Sequence, residues 1–144
     1  MISTKGRYAL RVMIDMAEQK TDSFIPLCEI AERQGISVKY LEIVLKSLIK
    51  ANLLEGRRGK GGGYKLTRQP HEYTVGEILD LTETSIASVA CLMKDAKPCD
   101  RKDQCRTFSM WNRFSKMIDD FFYGITLADL MQESGEPVVC ELRL

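Results

Sequence analysis

Histidine is nearly missing from this chain. One residue, His71, stands alone in 144, and no Ser/His/Asp or Cys/His catalytic arrangement can be assembled around it. The glycine run at 61–63 lacks the lysine and hydroxyl of a phosphate-binding loop. Catalysis is therefore not expected. No apolar run reaches ~18 residues, which excludes an apparent membrane-spanning helix. The opening MISTKGRYAL has no long apolar core and no small-residue cleavage site, so it does not read as a secretory signal. The expected compartment is the cytoplasm. Net charge is also scarce, +1 overall, so any basic surface has to be local. Internal repeats and low-complexity segments are absent, and the length suits one domain with a modest core.

Cysteine, by contrast, is plentiful. Five are present, three of them inside CLMKDAKPCDRKDQC: Cys91, Cys99 and Cys105. Seven residues separate the first two and five the last two. In a reducing compartment, clustered cysteines point to metal or redox chemistry rather than structural disulfides. Thiolates are soft ligands for iron–sulfur clusters, zinc or copper(I), and oxidants attack them first. Lys94, Lys97, Arg101, Lys102 and Arg106 surround them, and nearby cations favour the thiolate form. Cys28, beside Leu27 and Ile30, reads as a small core residue, and Cys140 has no assigned role.

Hydrophobic periodicity organises the rest. Ala9, Val12, Met13, Met16 and Ala17 make one stripe of a helix over residues 4–19. Pro26 and Gly35 bracket a second helix whose buried face is Leu27, Ile30 and Ala31. Ser37 caps a third, running to about residue 52, with Leu41, Val44, Leu45, Leu48 and Ile49 inward. The short helix, glycine turn and second helix form a helix-turn-helix. Residues 53–67 read as a glycine-centred β-hairpin, the wing of a winged helix. TVGE at 74–77 is a capping box. A polar loop spans roughly 85–105, and a long helix covers about 106–122. There Trp111, Phe114, Ile118 and Phe121 recur at coiled-coil-like spacing, widened by Met110, Met117 and Phe122. That face is too broad for one small domain to bury. Gly124 ends this helix, Thr126 caps a last short one, and the tail at 137–144 reads as a short strand or disordered. The fold class is thus mainly α with a small β-hairpin. The divisions are 1–84 for the winged helix-turn-helix, 85–105 for the cysteine-bearing loop, and 106–144 for the long helix and tail.

From residue 39 to 68, eight basic residues face only Glu42 and Glu55, a local +6 in a chain of +1. Lys and Arg that neutralise phosphates supply most non-specific DNA affinity. The start of the third helix offers Ser37, Lys39, Tyr40 and Glu42, with Lys46 a turn later, where a recognition helix reaches base edges. Glu42 can accept a hydrogen bond from cytosine N4. Arg57, Arg58 and Lys60 lie at the wing tip, for backbone or minor groove. A metal or cluster carrier without DNA binding is a different class of function, and it has no use for such a patch.

With STKGRYAL, IPLCEIAERQGISVKYLE, RRGKGGGYKLTR, TVGEILDLTE and TLADLM in place, the chain resembles the Rrf-two-type bacterial transcriptional regulators, the IscR-, NsrR- and CymR-like family. The likeness spans about residues 3–131. It implies a homodimeric winged-helix regulator, usually a repressor, binding a double-stranded DNA operator, with the long helix pairing the subunits. By position Cys91, Cys99 and Cys105 match the family's cluster cysteines, which implies an iron–sulfur cluster, 2Fe-2S rather than 4Fe-4S, that is easily lost on aerobic preparation. The chain departs from the pattern in three places. The first spacing is seven rather than the common five. Phe108 stands where IscR-like members carry a histidine. Lys5 to Tyr8 offer no NsrR-like carboxylate. The fourth ligand stays open among Asp95, Asp100, Asp103, a small thiol and water. A cluster-free repressor switched by its thiols or by a partner protein is the alternative within the class.

Overall fold

The α1 helix (Thr4–Glu18) starts at Ser3, whose hydroxyl accepts a bond from the Gly6 N–H. It lays Ala9, Val12, Met13 and Met16 into the core. The computed structural model describes residues 2–87, 89–93 and 95–132. Cys140, Lys94 and the 137–144 tail lie outside them. Helices α2 (Leu27–Gln34) and α3 (Val38–Lys50) follow. Both close in the same way. Gly35 and Asn52 adopt left-handed φ of 63° and 59°, and each lets the next residue bond back across the turn: Ile36 N–H to Ala31 O at 3.0 Å, Leu53 N–H to Leu48 O at 2.9 Å. This Schellman closure stops the helix and folds an apolar residue back onto it. Ile36 and Leu53 are accordingly buried.

A buried carboxylate locks α1 to α2. Asp15 is 5% exposed and accepts two bonds from Arg33 Nε and one from Arg33 Nη2, plus one from Gln34 Nε2 at 3.0 Å. An unpaired charge there is costly, while the pair is nearly neutral to stability. Arg33→Ala is expected to cost about 2 kcal/mol, because the arginine is itself a third exposed and partly screened. Urea denaturation reads this, and an unshifted midpoint would mean that Gln34 alone satisfies Asp15.

The wing is β1 (Leu54–Arg57) paired antiparallel with β2 (Gly63–Leu66), Leu54 opposite Leu66 and Arg57 opposite Gly63. Ile25 adds a bridge to Tyr64, through two bonds of 2.8 and 2.9 Å. Gly63 is needed there: a Cβ would run into the Ile25 carbonyl. Tyr73 is fully buried and anchors the hairpin base. Its hydroxyl donates to Leu53 O (2.9 Å) and accepts from Thr67 N–H (2.9 Å) and Arg68 N–H (2.8 Å).

A 3₁₀ turn (Pro70–Glu72) leads to α4 (Val75–Thr82). Thr74 caps it as expected, with Glu77 N–H to Thr74 Oγ1 at 3.2 Å. The reciprocal half of the box gives way: the Glu77 carboxylate turns to Arg68 at 2.9 Å, a bidentate pair stronger than a bond to one amide. Two 3₁₀ turns (Ala90–Leu92, Lys102–Gln104) punctuate the cysteine loop. Then come α5 (Phe108–Tyr123) and α6 (Leu127–Gln132). Gly124 ends α5 in a right-handed conformation. Thr126 and Asp129 cap α6 reciprocally, at 3.1 and 2.8 Å. Leu127 returns to the core, fully buried.

Cys28 corrects its sequence reading: it is exposed. Adjacency to Leu27 and Ile30 misled. At ~100° per residue it lies far round the helix from Ile30, so α2 carries it outward.

Candidate nucleic-acid interface and cysteine loop

Helix α3 is sharply two-sided. Leu41, Val44, Leu45 and Leu48 are fully buried, while Lys39, Glu42, Ile43, Lys46 and Lys50 are exposed. Ser37 Oγ accepts from the Tyr40 N–H (3.3 Å) and keeps its own O–H free to donate. Tyr40 is half-buried, its ring edge-on to Tyr8 with centroids 5.8 Å apart. It braces α3 against α1, and its ring is largely committed to that contact.

Of the eight basic residues, Lys65 pairs with Glu55 at 3.3 Å and Arg68 with Glu77. Among the described residues, Lys39, Lys46, Lys50, Arg57, Arg58 and Lys60 form no ion pair, nor does Glu42. Six cations and one carboxylate therefore remain open to an external partner. Arg57 lies over the Phe24 ring at 5.7 Å, beside Lys65 at 4.8 Å. Beyond Arg57 the tip runs through Gly59 and Gly61, with φ of 90° and 72°. Glycine alone adopts such angles freely, so Arg58 and Lys60 ride on a narrow turn. The sequence reading did not single out Val38, Ile43 or Phe24. Exposed apolar residues on a helix whose other face is fully packed were the available signal for Val38 and Ile43.

The cysteine loop lies between α4 and α5. A cleft of ≈ 440 Å³ runs there, lined by Asp80 and Glu83 of the α4 end, Leu92 and Met93 of the loop, and Ser115 and Tyr123 of α5. Tyr123 crosses from α5 to α4, covering Gly76 and donating its hydroxyl to Asp80 at 2.8 Å. That bond, then burial, pushes its pKa up to about 12.

Cys91, Cys99 and Cys105 are all free and exposed. Consecutive turns carry Cys99 into α5: Lys102 N–H to Cys99 O, Cys105 N–H to Lys102 O, Phe108 N–H to Cys105 O. Phe108 is half-buried beneath Lys102, whose Nζ lies 5.3 Å from the ring centre. Asp95, Asp100 and Asp103 are exposed. Among the described residues, no three His, Cys, Asp or Glu side chains gather closely enough to hold a metal ion. The donor set still suits a soft metal or cluster, being three exposed thiols, none in a disulfide, on one loop. His71 is exposed on the 3₁₀ turn before α4.

Cys105 is chemically distinct. Its Sγ lies 3.5 Å from Thr107 Oγ1. That hydrogen bond, with backbone N–H donors and the Arg101 charge, lowers its pKa below the ordinary thiol value. In metal-free protein, Cys105 should alkylate at a lower pH than an ordinary thiol, and Thr107→Val should move its pH profile upward. Mass-resolved iodoacetamide labelling reads both, and an unmoved profile would assign the effect to the backbone donors.

Helix α5 buries no residue fully. Met110, Phe114, Met117 and Phe121 are 51%, 46%, 67% and 62% exposed, whereas Trp111, Ile118 and Phe122 are half-buried. The most open apolar stripe therefore runs through the two methionines with Phe114 and Phe121.

The family model described as an iron-dependent transcriptional regulator, Rrf2, matches residues 2–133. The HTH-type transcriptional regulator IscR of Aliivibrio salmonicida is 38% identical over 133 residues, covering 92% of this chain and 78% of that one. Among solved structures, IscR of T. potens is similar with a TM-score of 0.71 and 34% identity, over 94% of this chain and 88% of that one. CymR, the global cysteine regulator of B. subtilis, gives a TM-score of 0.74 and 32% identity, over 94% and 98%. With a winged helix-turn-helix and a match across nearly the whole described chain, the protein belongs to the Rrf2 family of iron-dependent transcriptional regulators.

Proposed function

We propose that this protein is a homodimeric repressor that binds duplex DNA through α3 and the wing, under control of Cys91, Cys99 and Cys105. The observation that carries the DNA assignment is the open charge: Lys39, Lys46, Lys50, Arg57, Arg58 and Lys60 lack acidic partners among the described residues, on the exposed face of α3 and the wing. The cations hold phosphates and set the register, Glu42 accepts from a cytosine N4, and Ser37 and Tyr40 fix the start of α3. The working divisions are 1–84 for DNA, 85–105 for sensing and 106–144 for dimerisation. No helix among the described residues is long and apolar enough to cross a membrane, and we infer that the protein works in the cytoplasm.

Cys91, Cys99 and Cys105 would hold an iron–sulfur cluster, 2Fe-2S in our reading. Bound, it would supply a redox-active centre sensitive to oxidants and small reactive ligands. The chain's own part is to present the thiols on a loop that can draw together on ligation. The Thr107 hydrogen bond and then the Arg101 charge favour the Cys105 thiolate, and the loop joins α4 to α5. Any rearrangement of that loop thereby bears on how the winged heads sit relative to the dimer axis. The second reading is a cluster-free repressor switched by its thiols or by a partner, favoured by the likeness to CymR and by thiols that stand apart.

Salt-dependent duplex binding tests the DNA assignment. Arg58→Ala should weaken binding to all duplexes and flatten the logarithmic salt slope by about one unit. Glu42→Ala should alter base preference by about 1–3 kcal/mol at one position, with less effect on overall affinity. Binding that is independent of salt would contradict the reading.

A further inference from the structure

We infer that Ile43 is a specificity-determining residue that reads the 5-methyl group of a thymine in the major groove. The inference rests on the DNA-binding reading above and names what part of the site recognises.

Ile43 lies mid-helix on α3 and is 54% exposed, on the face opposite the fully buried Leu41, Val44, Leu45 and Leu48. It has no place in the core. Helix propensity does not account for it either, because a straight-chain polar residue is a better helix former at a solvated position than β-branched isoleucine. Its surroundings define the partner. Residues three, four and seven apart share a helix face, so its neighbours on that face are Lys39, Lys46 and Lys50. All three are exposed and without an ion pair among the described residues.

An apolar centre within a collar of cations calls for a surface anionic at its edges and apolar at a point between them. A major groove has that layout. Phosphates wall it on both sides, and the thymine methyl is the one apolar feature that a base pair presents on its floor. Glu42, next in the chain and also exposed, adds a polar reader to the apolar one. The two together would specify a cytosine and a thymine within one half-site.

The test uses the full-length protein and the duplex it binds most tightly in selection from random sequence. Each thymine is replaced in turn by deoxyuridine, which removes only the methyl group, and affinity is measured at one fixed salt concentration. One thymine per half-site should be sensitive, with binding about fourfold weaker for each methyl lost, as expected for one buried methyl. Ile43→Ala should bind the thymine and uracil duplexes alike and keep the wild-type salt slope. Val38→Ala, which trims another exposed apolar residue of α3 (43% exposed), should keep the sensitivity. Uracil-insensitive but salt-dependent binding by the wild type overturns this inference alone. So does uracil sensitivity that survives in Ile43→Ala or disappears in Val38→Ala. Absence of salt-dependent binding to any duplex overturns the DNA-binding reading and this inference with it.

Discussion

Phe114→Asp and Met117→Asp are each expected to turn a dimer into monomers at micromolar concentration. Both positions lie on the most open stripe of α5, a helix with no fully buried residue. In a two-fold interface each substitution appears twice, so two carboxylates would lose their water with no partner. At several kcal/mol per unpaired buried charge, the dissociation constant should rise by at least roughly a thousandfold. The protomer should still fold, because both side chains are already exposed within it, and circular dichroism with thermal melting checks this. Operator affinity should fall with the dimer, since paired heads are what match two half-sites. Sedimentation of wild type and variants decides. A wild type that is monomeric, or a dimer that survives both substitutions, would place the subunit contact elsewhere. Glu55→Ala offers a control, because it changes charge on the wing without touching α5.

Cys91→Ala, Cys99→Ala and Cys105→Ala should each abolish the brown colour of protein purified without oxygen, together with its iron and acid-labile sulfide. Each removes one of only three thiolates in the loop. Cys28→Ala should leave the colour intact, because α2 carries that exposed thiol on a different element. Replacing Asp95, Asp100 and Asp103 in turn by Asn asks whether a carboxylate completes the set. A colourless anaerobic preparation with stoichiometric zinc would favour a structural metal. A metal-free and fully active repressor would favour the thiol- or partner-switched reading.

The helix-turn-helix was legible because its signals are local. Ser37 and Gly35 mark ends by capping chemistry, and Leu41, Val44, Leu45 and Leu48 keep the helical period that places them inside. The hairpin followed from glycines flanked by alternating residues. What escaped depends on partners distant in sequence. Nothing local announces that Ile25 bridges Tyr64 or that the Tyr73 hydroxyl joins three groups of the hairpin base. Glu77 was assigned to Thr74 by spacing alone, and Arg68 competed for it across the fold. Cys28 was misplaced because neighbours in sequence were weighed instead of helical phase.

The site was legible to a lesser degree. Charge counting found the patch, yet only the structure separates Lys65 and Arg68, held by acids, from the six open cations. The spacing of the α5 apolar residues found the helix, and exposure then selected Met110 and Met117 over Trp111 and Ile118 as the more open members.

Control of DNA binding by the cysteine loop is the central claim, and one measurement bears on it most directly. Operator affinity is compared at one salt concentration between protein purified without oxygen and the same protein stripped of metal and reduced. The loop sits between α4 and α5, so its state should bias the arrangement of the heads. The affinities should differ by about 5- to 150-fold, the usual range of coupling between two sites. Equal affinities would contradict the switch, while leaving the winged helix as a DNA-binding element.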